Sequence, residues 1–198
     1  MTKPKLFLDM DNVLVDTLPV LNAQNMKTEM VAKPDQIPGI FKNLPPVDGA
    51  VEAVKVLSED YEMYILSTAP WNNPSAWQDK LIWLQKYFGM DETNPFYKRV
   101  VMAHDKGLVH GTGGILVDDR PYHGASAWDD ESTDSFWLQY GFDAKLVWSN
   151  ELVHFLQAVA QAYTDTQNIR AAIEEVNQQT QYHLHGDKES FEKASWEK

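Results

Sequence analysis

An α/β fold with a parallel sheet flanked by helices is predicted by three features of the chain. Short apolar runs recur at Leu6–Leu8, Tyr61–Leu66, Arg99–Ala103, Ile115–Val117 and Leu146–Trp148, each of a length suited to a buried strand. The segments between several of them carry apolar residues at helical spacing, and such alternation implies parallel strands joined by crossovers. Four of the five runs end in carboxylates, hydroxyls or a lysine. That matters because ligands bind at the carboxyl edge of such sheets.

Size and composition set the outer bounds. With 198 residues, 43% of them hydrophobic, the chain suits one domain of ordinary size plus a modest insertion. No segment approaches the ~18 consecutive apolar residues of a membrane span, and Met1–Lys5 leads into a strand without a signal-peptide pattern, so a cytoplasmic protein with no membrane partner is expected. The absence of cysteine excludes disulfides and thiolate metal sites. A net charge of −12 and the lack of any Lys/Arg run argue against a nucleic-acid polymer as partner. A small phosphorylated substrate is compatible, provided a metal and local cations offset the field. A homodimer is left open.

The first strand stops at Asp9-Met10-Asp11. If the chain stays extended, both carboxylates face one crevice, where they repel unless a cation such as magnesium lies between them. Taken alone, the pair is equally a helix cap and a turn. Helical spacing from Leu14 to about Glu29 predicts a helix, and breaks at Lys33–Gly39 and Leu44–Gly49 make the region from Thr17 to Pro46 a small helical insertion suited to a lid. Ala50–Leu57 resumes a helical repeat. The second strand ends in Ser67-Thr68-Ala69-Pro70, and Ser75–Phe88 predicts a helix closed by Gly89, with Trp77, Leu81, Leu84 and Phe88 at helical intervals and Trp77 and Trp83 expected in the core.

The third strand runs into His104-Asp105-Lys106 and the fourth into Asp118-Asp119-Arg120-Pro121. Ala127–Phe136, with Asp129, Asp130, Glu131 and Asp134, reads as a solvated acidic loop. A helix is expected from Asn150 to about Tyr163, and a peripheral one to about Gln181. Beyond that, fraying is expected, with His183 and His185 inside it.

Asp9, Asp11, Thr68, Lys106 and the pair Asp118-Asp119 thus fall, in this order, at the ends of successive strands. This order resembles the haloacid dehalogenase superfamily of phosphatases over about residues 5–121. Asp9-Met10-Asp11, Pro38-Gly39-Ile40-Phe41, Leu44–Ala50, Thr68-Ala69-Pro70, Lys86–Gly89, Asp105-Lys106 and Leu116–Pro121 are further similar to the 5′(3′)-deoxyribonucleotidases and their bacterial and phage relatives. The resemblance implies a Rossmann-like core over residues 1–16 and 47–163, a small helical cap over 17–46 and a polar C-terminal helix and tail over 164–198.

It also implies a magnesium-dependent phosphomonoesterase acting on (deoxy)nucleoside monophosphates. A carboxylate needs magnesium to approach a negatively charged phosphate ester, so Asp9 is expected as the nucleophile of an aspartyl-phosphate. Asp11 is expected as general acid and then base, and Mg2+ on Asp9, the Asp11 carbonyl and one carboxylate of Asp118-Asp119. Thr68 and Ala69 would hold the phosphoryl group with Lys106 as its counter-charge, and Phe41, with Trp71 second to it, would stack a nucleobase. Arg120 is either a substrate contact or a partner of the acidic pair. Asn12 stands where these nucleotidases commonly have glycine, Thr17 where an aromatic often follows Asp16, and Ala69 where a second hydroxyl is usual. The glycine-rich stretch His110–Gly114 reads as a turn. Another small phosphorylated metabolite, transfer to an alcohol, or a non-catalytic nucleotide-binding module are the alternative readings.

Overall fold

A computed structural model of the chain describes residues 2–25 and 30–187. Five parallel strands form one sheet: β1 (Lys5–Leu8), β2 (Glu62–Ser67), β3 (Val100–Met102), β4 (Gly114–Asp118) and β5 (Ser135–Gln139). Their order is β3-β2-β1-β4-β5, so the chain steps outward on one side of β1 and then crosses to the other. The carboxyl end of β1 is therefore a switch point, where a crevice opens.

Strand alternation divides the core in two. Leu6, Leu8, Met63, Ile65, Ile115, Val117 and Leu138 point to one face, where they pack with the buried residues of α2 (Ala50–Leu57), α3 (Ser75–Phe88), α4 (Leu152–Thr166) and α5 (Ile169–Thr180). Phe7, Leu66, Leu116 and Trp137 point to the other. That face is covered by Ala125 and Trp128 of a short 3-10 turn, because the crossovers into β4 and β5 are built from turns of this kind rather than α-helices. The parallel sheet flanked by helices is as expected. Its two faces differ in the thickness of their cover.

Several elements depart from expectation. The helix expected from Leu14 shrinks to α1 (Leu18–Asn22), while residues 26–29 lie outside the described ones. Leu14 and Val15 instead close a tight loop after β1, their amides donating to the Met10 carbonyl at 2.9 and 2.8 Å. The fifth strand is Ser135–Gln139 rather than Leu146–Trp148. All five of its residues are buried, but the acidic residues just before it mask the apolar signal. Leu146 and Trp148 fill the core from turns, and the Trp148 indole N–H donates to the Val13 carbonyl at 2.6 Å.

The acidic loop is not simply solvated. Asp134 accepts the Ile169 amide at the start of α5 at 2.9 Å, and Asp129 pairs with Arg170 at 2.5 Å. Trp83 is core, whereas Trp77 and Leu81 are 42% and 45% exposed, because the buried stripe of α3 runs through Ala76, Lys80, Trp83 and Leu84. The tail beyond Gln181 does not fray within the described residues. Gln139 donates its amide to the Leu184 carbonyl at 2.8 Å and His185 stacks on Trp137 at 5.5 Å, so residues up to Asp187 line the outer edge of β5.

Candidate active site

A cavity of about 770 Å³ opens at the carboxyl ends of β1, β2 and β4. Asp9, Asp11, Thr68, Ala69, Lys106 and Asp118 line it, with Phe41, Leu18 and Leu21 contributed by the segment between β1 and α2. The residues singled out from the sequence thus meet in one place. Asp119 lies beside the cavity, its carboxylate within 4.8 Å of those of Asp9 and Asp118.

Charge is tightly organised at the base of the cavity. Lys106, 3% exposed, lies 3.1 Å from Asp9 Oδ1 and donates a hydrogen bond to Asp118 Oδ2. Burial works against its charge, yet Asp118 and Asp9 outweigh burial and hold the ammonium on. Burial also pushes Asp9 up. Lys106, Lys80 and the Ser67 hydroxyl together more than offset that, so Asp9 sits below the usual carboxylate range and is ionised. For the acidic pair burial prevails: Asp118 is pushed up to about 6 and Asp119 to about 8, against the pull of Lys106 and Arg120 respectively.

The loops carrying these groups are fixed by local geometry. The Lys106 amide donates to the His123 carbonyl at 2.6 Å, and Asp105 caps the turn by accepting the Gly107 amide. Gly124 makes this approach feasible, since a Cβ there would lie 2.1 Å from Asp105 Oδ1 and 2.4 Å from the Gly107 nitrogen. Asn12 adopts φ 59°, a left-handed conformation that asparagine and glycine tolerate best. Asparagine here meets the same backbone demand as glycine and adds a side chain. That side chain accepts the Leu18 amide at 3.0 Å and donates to Asp119 Oδ2 at 3.1 Å.

One buried cation beside Asp11 escaped the sequence reading. Lys80, on α3, is 2% exposed and donates to Asp11 Oδ2 at 2.7 Å, the Ser67 hydroxyl at 2.9 Å and the Thr68 carbonyl at 2.7 Å. The available signal was a charge at a core position of an amphipathic helix, four residues after Ala76 and three before Trp83. Thr17 is the second unexpected partner of Asp11. Its hydroxyl lies 3.1 Å from Asp11 Oδ1 and 3.2 Å from the Val15 carbonyl, with a single proton to share between them.

On the β2 side, the Thr68 hydroxyl donates to the Ala103 carbonyl at 2.8 Å and Ala69 is buried. Phe41 is 3% exposed, its ring centroid 5.5 Å from Lys80 Nζ. Trp71, by contrast, is 82% exposed on the cavity rim and stands 5.5 Å from the His104 ring. Arg120 lines the cavity and lies 3.7 Å from Asp119. The segment opposite is clipped in place: the Asn73 amide donates to the Asp35 and Ile37 carbonyls at 2.9 and 3.0 Å, and the Gly39 amide donates to Ser75.

The donor set suits a hard divalent cation. Asp9, Asp118 and Asp119 form a carboxylate cluster with ligand oxygens within 4.8 Å of one another. The buried Oδ1 atoms of Asp9 and Asp119 have ion-pair neighbours in Lys106 and Arg120 but accept no well-formed hydrogen bond, which leaves lone pairs that such an ion would satisfy.

Known proteins resemble this chain in sequence. Residues 22–126 match the family described as 5′ nucleotidase, deoxy (Pyrimidine), cytosolic type C protein. A protein of Vibrio phage KVP40, provisionally named a 5′(3′)-deoxyribonucleotidase, is 40% identical over 140 residues, covering 68% of this chain and 79% of the phage protein. A Staphylococcus epidermidis protein with the same provisional name is 31% identical over 144 residues, covering 61% of this chain and 76% of the relative. An Acanthamoeba polyphaga mimivirus protein of like name is 38% identical over 93 residues, or 43% of this chain and 39% of the viral one. The fold and these likenesses define a phosphoric monoester hydrolase. Within that class, the chain belongs to the haloacid dehalogenase-type 5′(3′)-deoxyribonucleotidase family.

Proposed function

We propose that the protein is a magnesium-dependent nucleotidase that hydrolyses (deoxy)nucleoside monophosphates through an aspartyl-phosphate on Asp9. The observation that carries this reading is the setting of Asp9: a buried carboxylate 3.1 Å from the Lys106 ammonium, at the floor of a cavity and next to a second carboxylate. Its oxygen attacks the phosphorus of the bound ester, and the bond from phosphorus to the leaving oxygen breaks. Lys106 offsets charge at the phosphoryl group and orients Asp9.

Asp11 gives its proton to the departing alkoxide, then removes a proton from the water that cleaves the acyl phosphate and releases inorganic phosphate. Thr17 fits both states of Asp11. Its hydroxyl donates to the ionised carboxylate; with a proton on Asp11 Oδ1 the direction reverses, and the hydroxyl donates to the Val15 carbonyl instead.

Asp9, the Asp11 carbonyl and Asp119 are the groups that would hold magnesium, since both oxygens of Asp118 are engaged by Lys106 and the Arg120 amide. When bound, the ion supplies charge neutralisation that lets a carboxylate approach a phosphate dianion.

Residues 17–46 serve in this reading as a small cap on a core of residues 1–16 and 47–163. The 164–198 segment carries α5, which packs against that core. No helix among the described residues is long and apolar enough to cross a membrane. The reading places the protein in the cytoplasm with a small phosphorylated substrate and without a nucleic-acid polymer or membrane as partner.

Phosphate release across deoxy- and ribonucleoside monophosphates and sugar phosphates, with magnesium and after chelation, tests the proposal. Preference for nucleotides and loss of turnover on chelation are expected. A flat substrate profile removes the nucleotidase reading, and full turnover in chelator removes the metal.

A further inference from the structure

Lys80 is a charge placed where the fold alone calls for an apolar side chain. It lies in the buried stripe of α3 with Ala76, Trp83 and Leu84, under the ring of Phe41. Burying an ammonium is costly even when it is paired, and an apolar residue of similar volume is often the more stable choice at such a position. The side chain therefore asks for another explanation.

Its bonds point to one. An ammonium has three protons, and all three are used: on Asp11 Oδ2, the Ser67 hydroxyl and the Thr68 carbonyl. Two acceptors belong to the rigid end of β2, so Lys80 Nζ is a fixed point in the molecule. Asp11 stands on the loop after β1, where a free carboxylate would turn about its side-chain bonds. Lys80 grips one of its oxygens and the Thr17 hydroxyl meets the other, which sets the plane of the carboxylate at the cavity wall.

We infer that Lys80 is a positioning residue, acting through Asp11 to hold the acid–base carboxylate toward the leaving oxygen of the bound ester. This rests on the reading of Asp11 as general acid and base given above. The geometry supplies what proximity effects require, since a displacement of about 1 Å at a reacting group can cost roughly a hundredfold in rate.

Leaving-group dependence separates this role from simple support of the fold. A nucleoside alkoxide needs a proton to depart. p-Nitrophenolate is stable as an anion, so aspartyl-phosphate formation from p-nitrophenyl phosphate breaks the ester bond without an acid. In Lys80→Met, nucleotide kcat is expected to fall about a hundredfold with KM nearly unchanged, part of the 10²–10⁴ that acid–base catalysis contributes. The pre-steady-state burst of p-nitrophenolate should fall by no more than about threefold, since Lys106, the larger of the two counter-charges on Asp9, is untouched, and slow turnover should follow because Asp11 must still act as base.

Thr17→Val, a milder change that removes only the hydroxyl, should show the same selective loss at about tenfold and keeps the test open if Lys80→Met does not fold. Parallel loss of the burst and of nucleotide turnover overturns the inference, as does unchanged nucleotide turnover in a folded Lys80→Met. Wild-type protein inactive on both substrates instead overturns the underlying reading of the site, a different failure.

Discussion

Asn12 donates from its side-chain amide to Asp119 Oδ2 at 3.1 Å while its own backbone sits at φ 59°. One residue thus meets a conformational demand of the loop after β1 and orients a candidate metal ligand just beyond the end of β4. The two roles separate by substitution. Asn12→Gly keeps the backbone and removes the amide, so the fold should hold while the magnesium concentration for half-maximal activity rises about tenfold, the lower end of effects from groups that orient ligands. Asn12→Ala should in addition lower stability by about 1–2 kcal/mol, because alanine tolerates the left-handed region poorly. Magnesium titration of activity together with thermal unfolding reads both.

Asp9→Asn should abolish turnover, by about 10⁴-fold or more, and prevent trapping of phosphorylated protein. The neutral amide removes a buried charge from beside Lys106, so the fold should persist. Mass spectrometry of protein quenched during turnover is the direct check, and a phosphoryl adduct elsewhere in a still active variant would move the nucleophile.

The contribution of the acidic pair to the stability of the metal-free protein should fall as pH rises from about 5 to about 9, while His123, which burial pushes down, contributes in the opposite sense near its ordinary range. Asp118 and Asp119 are raised in the folded state to about 6 and about 8, above their ordinary value of 3.8, so between these limits the folded chain binds more protons than the unfolded one. Unfolding is then favoured by each step up in pH. Asp9 is shifted the opposite way, and its contribution is lost only in acid below its ordinary range. Magnesium binds the ionised cluster, so the rise in Tm it produces should be larger at pH 8 than at pH 5. Scanning calorimetry with and without magnesium at the two pH values measures this, and an equal rise at both would count against the cluster as the metal site.

Much of this architecture is legible along the chain, and the misses share a physical cause. β1, α2 and α3 carry clean periodicity, and the polar residues at strand ends meet at one edge because the strands are parallel. β5 is masked because Asp129–Asp134 lies next to it, and among those acids Asp134 and Asp129 cap and pair with residues of α5 that are distant in sequence. Lys80 was passed over because a charge on a helix reads as surface unless its partners are known. Asp11 lies 69 residues away. Tyr182 and Leu184 pack against the core from a stretch too short and polar to announce itself.

Removal of residues 182–198 should leave nucleotide turnover within about twofold while exposing the outer edge of β5. The Leu184 carbonyl and Gly186 amide now satisfy Gln139 of that edge, and His185 covers Trp137. Bare sheet edges recruit other strands, so the truncated protein should unfold at lower temperature and self-associate. Light scattering during heating distinguishes this from a tail with no structural part.

The last prediction concerns which aromatic meets the base. Phe41 is 3% exposed and packed over Lys80, whereas Trp71 presents an indole that is 82% exposed on the cavity rim, backed by His104, whose ring Trp77 also meets. Stacking requires a free face, and only Trp71 of these two has one. Trp71→Ala should therefore raise KM for nucleoside monophosphates about tenfold, within the roughly 1–3 kcal/mol that a stacked base contributes, with kcat nearly unchanged. It should leave KM for a sugar phosphate where it was. Phe41→Ala should instead lower stability by about 3–5 kcal/mol through the cavity it leaves, and loosen Lys80 with it. If Phe41→Ala alters nucleotide KM selectively and Trp71→Ala does not, the base lies deeper, under the segment that closes the cavity, and the rim indole is only part of its outer wall.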